Sequence, residues 1–218
     1  MSLSPEVLLN AVTRSICISK LKELPIFLSK EVTYKTKASV LVPLCIENDQ
    51  VCLLYTLRSS NLSNHSGQVS FPGGKMDKNE DVYETALRET EEEIGISREH
   101  IDIWSKMPQV QGRDRNIAIT PVIGLLRNYH RDNLRPNLGE VEEIFTVPMK
   151  TFCDVNNHAH LEYDGIIIPV FLNEKHKIWG ITGMITHLFL SCFLPEKLYN
   201  VNFMRRKFTL DELMPSKL

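Results

Sequence analysis

The sequence predicts a mixed α/β domain, and three observations carry that prediction. Apolar, β-branched runs crowd the first two thirds of the chain. Helix-period patterns stand at both ends. A single glutamate-rich helical segment interrupts the strands, so the pattern is not a regular βαβ array. With 218 residues, 43% hydrophobic and 24% charged, the chain has the balance of one globular domain with a sizeable core. The organisation read from it is an N-terminal helix and linker over 1–35, a main domain over 36–195 and a tail over 196–218.

Taken in order, residues 5–23 read as a helix opened by Pro5, with Leu8, Leu9, Val12, Ile16 and Leu21 as apolar positions. Ala38–Ile46 and Gln50–Leu57 read as a strand pair around the turn cluster Glu47-Asn48-Asp49. Phe71-Pro72-Gly73-Gly74 is a turn that breaks both helix and strand. Residues 80–94 then read as a helix capped by Asp77 or Asn79 and ended by Gly95. Ile101–Val110, Ile117–Leu126, Glu143–Val147, Ile166–Phe171 and Lys177–Trp179 read as further strands. Residues 181–194 read as a closing helix.

A net charge of −2 argues against bulk electrostatic binding to nucleic acid or to a membrane surface. No apolar run has the length of a transmembrane helix. Five scattered cysteines without CxxC spacing read as buried, reduced thiols rather than a disulfide framework or a zinc site. His158 and His160 read as surface residues.

The helix over 80–94 carries the chemistry. Val82, Tyr83, Ala86, Leu87, Thr90 and Ile94 share one broad face suited to packing on a sheet. Glu89 and Glu93, four apart, fall at the edge of that face. Glu92 lies beside them, and Arg88 is placed to pair with Glu92. Repulsion among like charges, and acids crowding the C-terminal end of the helix dipole, give a purely structural helix no benefit. A divalent cation such as Mg²⁺ or Mn²⁺ removes that conflict, because several carboxylates on one face can hold it alongside phosphate oxygens. The preceding Gly73 and Gly74 let backbone approach a ligand or metal closely, so the pair points to phosphate held through metal.

At this point the residues resemble a known signature. Gly74, Glu80, Arg88-Glu89, Glu92-Glu93 and Gly95 stand at the spacing of the Nudix box, with Thr90 in a slot more often aliphatic. Leu53–Ser59, Gly67–Gly74, Ile119-Thr120-Pro121-Val122, Arg135-Pro136-Asn137, Glu140-Val141 and Trp179-Gly180-Ile181-Thr182 resemble the coenzyme A diphosphatase branch of that superfamily, as its animal peroxisomal and mitochondrial members have it. The resemblance covers roughly 38–190. One departure stands out: Ser63 occupies a position where the family carries arginine.

The resemblance implies a Nudix α/β/α sandwich with a mixed β-sheet. It also implies metal-dependent hydrolysis of the pyrophosphate in coenzyme A or acyl-CoA. Glu89 and Glu93 then carry over as metal ligands, with Glu92 as a third ligand or water-orienting group. Arg88 positions a carboxylate, and Glu80 supports the geometry between loop and helix. The general base is open among Glu92, Glu140, Glu142 and Glu143. Arg58 ranks first for substrate phosphate, with Gly73, Gly74 and Lys75 beside it and Arg113 or Arg115 as further cations. The alternatives are hydrolysis of ADP-ribose, NADH or another nucleoside diphosphate derivative, or a binding module of the same fold without turnover.

The last three residues, Ser216-Lys217-Leu218, match the tripeptide read by the peroxisomal import receptor. Met214-Pro215 before it implies an extended, accessible end. The expected location is the peroxisome, with the mitochondrion as alternative.

Overall fold

The computed structural model describes residues 2–29, 32–60, 66–112 and 116–216. The elements in chain order are α1 (Pro5–Leu8), α2 (Ala11–Glu23), β1 (Thr36–Glu47), β2 (Gln50–Arg58), β3 (Val69–Ser70), β4 (Gly73–Lys75) and α3 (Val82–Ile94). There follow β5 (Ile101–Lys106), β6 (Val110–Gln111), β7 (Ile117–Leu126), β8 (Val141–Pro148), α4 (Met149–Cys153), β9 (His158–Tyr163) and β10 (Ile166–Leu172). The chain closes with β11 (Lys177–Ile178), α5 (Gly180–Phe193), β12 (Lys207–Phe208) and α6 (Leu210–Leu213).

The central sheet runs β3-β2-β1-β7-β5, with β8 joined to β2, β4 to β1 and β6 to β7. It is mixed: β1 and β7 run parallel, whereas β1 and β2 form an antiparallel hairpin. Asn48 and Asp49 turn that hairpin with φ of 49° and 57°, the left-handed pair a two-residue turn needs. Side chains alternate between the faces of the sheet. Val42, Leu44, Leu53 and Tyr55 face one core together with Ile185 and Phe189 of α5 and Leu21 of α2. Leu41, Cys45, Cys52 and Leu54 face a second core with Ala86 and Ile94 of α3. The sheet is thus covered by helices on both faces, an α/β/α arrangement. A smaller sheet, β11-β10-β9-β12, carries its own cluster of Ala159, Leu161, Val170, Phe208 and Leu213.

The structure corrects several expectations. The N-terminal helix breaks in two, because Asn10 caps α2 by accepting from the Thr13 N–H and its amide nitrogen donates back to the Glu6 and Val7 carbonyls. Ile101–Val110 is not one strand; it divides into β5 and β6. His158 and His160 are buried on β9, at 1% and 4% exposure, rather than on the surface. Backbone satisfies their rings: His158 Nε2 lies 2.7 Å from the Phe152 carbonyl and His160 Nδ1 2.8 Å from that of Phe203. The accessible end expected after Met214-Pro215 does not extend to Ser216, which is fully buried; Lys217 and Leu218 lie outside the described residues. The cysteines are free thiols, and all but half-buried Cys153 are buried. No helix among the described residues is long and apolar enough to cross a membrane.

Candidate active site

The site is built where the turn after β3 meets α3. Gly73 has φ of 152°, and a Cβ there would come within 3.0 Å of the Ser39 carbonyl oxygen and of Val40 on β1. Only glycine lets β4 lie against β1 in the register Ala38↔Lys75, Ser39↔Gly74, Val40↔Gly73. Gly74 serves a different need: a Cβ there would fall inside 3.0 Å of the Glu89 carboxyl carbon and both of its oxygens. The missing side chain at Gly74 is the space that Glu89 occupies.

The helix itself starts later than the sequence suggests. Asp81, not Asp77 or Asn79, is the N-cap: its carboxylate accepts from the Tyr83 and Glu84 N–H groups, and Glu84 reaches back to the Asp81 N–H. Asn79 cannot open the helix because it sits at φ of 71°. Glu80 therefore lies outside α3, and its carboxylate accepts from the Asp77 N–H and from the Thr85 hydroxyl. At the other end Gly95 closes α3 in the left-handed conformation at φ of 75°. Ser39, buried on β1, places its hydroxyl 2.6 Å from the Val82 carbonyl and 3.0 Å from that of Thr120, and so ties the start of α3 to the sheet. Nothing in the sequence singled out Ser39; a serine inside an apolar strand run was the available signal.

Arg88 is the hub of the polar network. Its Nε and Nη2 hold Glu80 in a two-pronged grip at 2.6 and 3.0 Å. Its Nη1 donates to Glu89 at 3.0 Å and Glu92 at 3.1 Å, and Nη2 also reaches the Lys75 carbonyl at 3.2 Å. This grip holds the Glu80 carboxyl down at about 2 and pushes the guanidinium above its ordinary value. Lys75 contributes its carbonyl here, and its side chain is exposed.

Glu93 is the deepest acid, 3% exposed. Burial pushes its carboxyl up to about 8, aided by the negative charge of Glu89 and Glu140 and opposed by the Gly73 N–H and by Arg58. The Gly73 N–H donates to Glu93 Oε2 at 3.2 Å. Glu89 is also raised, first by burial, with Glu92 and Glu140 adding to the effect and Arg88 opposing it. Two acids that resist ionising are a donor set that a divalent cation would stabilise. The fit is partial. Among the described residues no three acidic, histidine or cysteine side chains already converge on one metal position. Glu92 is 56% exposed and points to Arg88, so it stands apart from half-buried Glu89 and buried Glu93.

Of the remaining sequence candidates, Glu140 is brought to the site by the Ser59 N–H, which donates to its carbonyl at 2.8 Å. Glu143 is drawn elsewhere: its carboxylate lies 3.2 Å from Nε2 of buried His176, whose ring stacks on Phe145 at 3.8 Å. Glu142 is exposed. Arg58, at the end of β2, faces Glu93 closely enough to lower its pKa, and its buried Nε has no hydrogen-bond partner among the described residues. Its guanidinium is thus a cation set next to the raised carboxylates. Ser63, Arg113 and Arg115 lie outside the described residues.

Comparison with known proteins gives a consistent picture. Residues 35–166 match the family model described as NUDIX domain. The mitochondrial coenzyme A diphosphatase NUDT8 of Mus musculus is 40% identical over 165 residues, covering 72% of this chain and 78% of the relative. Nudix hydrolase 3 of Caenorhabditis elegans is 32% identical over 176 residues, covering 72% and 73%. The peroxisomal coenzyme A diphosphatase NUDT7 of Mus musculus is 41% identical over 118 residues, covering 53% and 48%. Among solved structures, a MutT/nudix family protein from Enterococcus faecalis aligns with a TM-score of 0.49 at 19% identity, over 86% of this chain and 71% of that one.

Proposed function

This chain belongs to the Nudix family of hydrolases, and from that premise we propose that it hydrolyses the pyrophosphate bond of coenzyme A or acyl-CoA. The products are adenosine 3′,5′-bisphosphate and 4′-phosphopantetheine or its acylated form. A water oxygen bonds to one phosphorus, the bridging P–O bond breaks, and the departing phosphate takes the electron pair. The observation that carries the chemistry is the pair of reluctantly ionised acids, half-buried Glu89 and buried Glu93, beside Arg58. Nudix hydrolases generally use divalent metals, and Glu89 and Glu93, with Glu92 as a third candidate, are the residues that would hold Mg²⁺ or Mn²⁺ here. The bound cation would neutralise phosphate charge and acidify the attacking water.

The chain's own groups divide the remaining work. Arg58 binds a phosphate oxygen through its guanidinium. Arg88 sets the carboxylates of Glu89 and Glu92. Glu140 accepts the proton of the water, since its charge acts on both Glu89 and Glu93 while Glu92 is engaged with Arg88. The substrate assignment is supported by the Leu53–Gly74 segment and by the activity for which the relatives are named.

The test offers the purified protein coenzyme A, acyl-CoA, ADP-ribose and NADH with Mg²⁺ or Mn²⁺, and identifies the products by chromatography. Cleavage of coenzyme A or acyl-CoA to the bisphosphate is expected; preference for ADP-ribose or NADH overturns the assignment. For location we propose import into peroxisomes through Ser216-Lys217-Leu218, a reading that requires buried Ser216 to come free of the fold when the receptor binds. The names of the relatives support the mitochondrion at least as well. A fluorescent protein fused to the N-terminus, with and without that tripeptide, tests the peroxisomal reading: unchanged localisation without it overturns that reading.

A further inference from the structure

Trp179-Gly180-Ile181-Thr182 and the residues before the C-terminus have no part in the chemistry above, yet both close on one turn of the site. That turn, Ser66-Gly67, is bonded to Arg58, where the pairing of β2 with β8 slips register. The Gly67 N–H donates to the Arg58 carbonyl at 3.1 Å, and the Arg58 N–H donates to the Gln68 carbonyl at 3.0 Å. Ser216 lies against it, fully buried. Its N–H donates to the Gly67 carbonyl at 3.0 Å, its carbonyl accepts from the Lys177 N–H at 2.6 Å, and its hydroxyl accepts from Trp179 Nε1 at 2.8 Å. Gln68 Nε2 reaches Met214 Sδ at 3.4 Å, and the Thr182 hydroxyl donates to the Val69 carbonyl at 3.0 Å.

Three consecutive residues, Gly67 to Val69, are therefore held by the start of α5 and by the C-terminal segment. That segment is itself anchored. Leu213 is fully buried, Thr209 and Glu212 form a capping box, and Lys177 Nζ donates to the Glu212 carbonyl at 2.6 Å. Loop backbone is mobile unless its polar groups and neighbours fix it. Here the fixing groups come from about 110 to 150 residues further along the chain.

We propose that Trp179 and Ser216 are positioning residues that fix the Ser66-Gly67 turn against the Arg58 backbone, so that Arg58 meets the substrate phosphate beside Glu93. The proposal rests on Arg58 being the phosphate-binding residue of the proposed reaction. Arg58 touches substrate; Trp179 and Ser216 act through its backbone. Loosening the turn weakens binding of the substrate and leaves the carboxylates of α3 in place.

The experiment uses the full chain with Trp179→Phe, Ser216→Ala and Ser216→Pro, the last removing the N–H that reaches Gly67. Amide hydrogen exchange is followed at Gly67 and Arg58, and KM and kcat are measured on whichever pyrophosphate the wild-type protein cleaves best. Trp179→Phe and Ser216→Ala should each raise KM about fivefold, the worth of one net hydrogen bond, with kcat within about twofold. Their double variant should match either single one, because both remove the same bond. Ser216→Pro should accelerate exchange at Gly67 and Arg58 most; Trp179→Phe keeps the test open where Ser216→Pro fails to fold. Unchanged exchange, or faster exchange with unchanged KM, overturns the proposal. A wild-type protein that cleaves a different pyrophosphate defeats the coenzyme A reading alone, since exchange and KM still report on the turn.

Discussion

A carboxyl group 3% exposed beside two further acids gives up its proton reluctantly, and that sets how Glu93 shapes stability. Its ordinary value is 4.5 and its folded value about 8. Between these limits the folded protein keeps a proton that the unfolded chain has lost. The stability contributed by this group is full below pH 4.5, declines as pH rises and is gone above about 8. Glu89 shifts the same way and adds to the slope. In chelator, the melting temperature should fall from pH 5 to pH 8.5, and Glu93→Gln should flatten that fall; equal slopes in both proteins would remove Glu93 as the cause. Gly74→Ala tests the neighbouring space. The backbone there is not in the left-handed region, so an added methyl strains only its contact with the Glu89 carboxylate. Activity should drop on the order of 100-fold, the scale of a small misplacement at a reacting centre, with melting within a few degrees of wild type. Full activity in Gly74→Ala would show that Glu89 is free to move. Much of this was legible: Glu89, Glu93 and the glycine pair stand out in the sequence by spacing. The orphan Nε of Arg58 and the depth of Glu93 were not, because both depend on segments distant in sequence, such as β4 with its Gly73 N–H, meeting the end of α3.

The elements around the site show where pattern succeeds and where it fails. α3 was readable because its apolar face repeats at helical spacing, and Ala86, Thr90 and Ile94 are indeed buried. Its start was not, because a left-handed residue at Asn79 leaves no mark in the hydrophobic period. Asp81→Ala removes the actual cap and should cost about 1 kcal/mol, lowering the melting temperature by roughly 2–4 °C. Asp77→Ala lacks any cap bond to lose and should stay near wild type by the same measurement. Equal losses in the two variants would contradict the cap assignment. β9 was missed for a different reason. His158-Ala159-His160-Leu161-Glu162-Tyr163 reads as polar alternation, and its two histidines are buried only because the Phe152 and Phe203 carbonyls come from elsewhere to meet them. The break between α1 and α2 at Asn10 hides inside a continuous apolar period, which Leu8, Leu9 and Val12 sustain across it.

At the scale of the whole molecule, the N-terminal helices are part of the packed structure. Leu8, Cys17 and Leu21 are at most 1% exposed in the core shared with α5, and Arg14 pairs with Asp102 on β5 at 3.0 Å. Fully burying an aliphatic side chain stabilises by about 1.5–3 kcal/mol. A chain beginning at residue 36 should therefore melt roughly 10 °C lower than the full chain in calorimetry, and an unchanged transition would show that the helices are dispensable. Strand partners were the least legible feature. A two-residue period shows which side chains share a face, and it carries no information on which strand lies alongside. The parallel ladder of β1 with β7 joins residues 81 positions apart, such as Ser39 and Thr120. That ladder has a consequence for synthesis. The glycine turn, the cap and all of α3 lie inside the loop it closes, so the sheet under the acids is completed only once β7 has left the ribosome. Closing so long a loop before its contacts are rewarded makes folding slow, and it leaves the apolar edge of β1 exposed to misassembly in the interval.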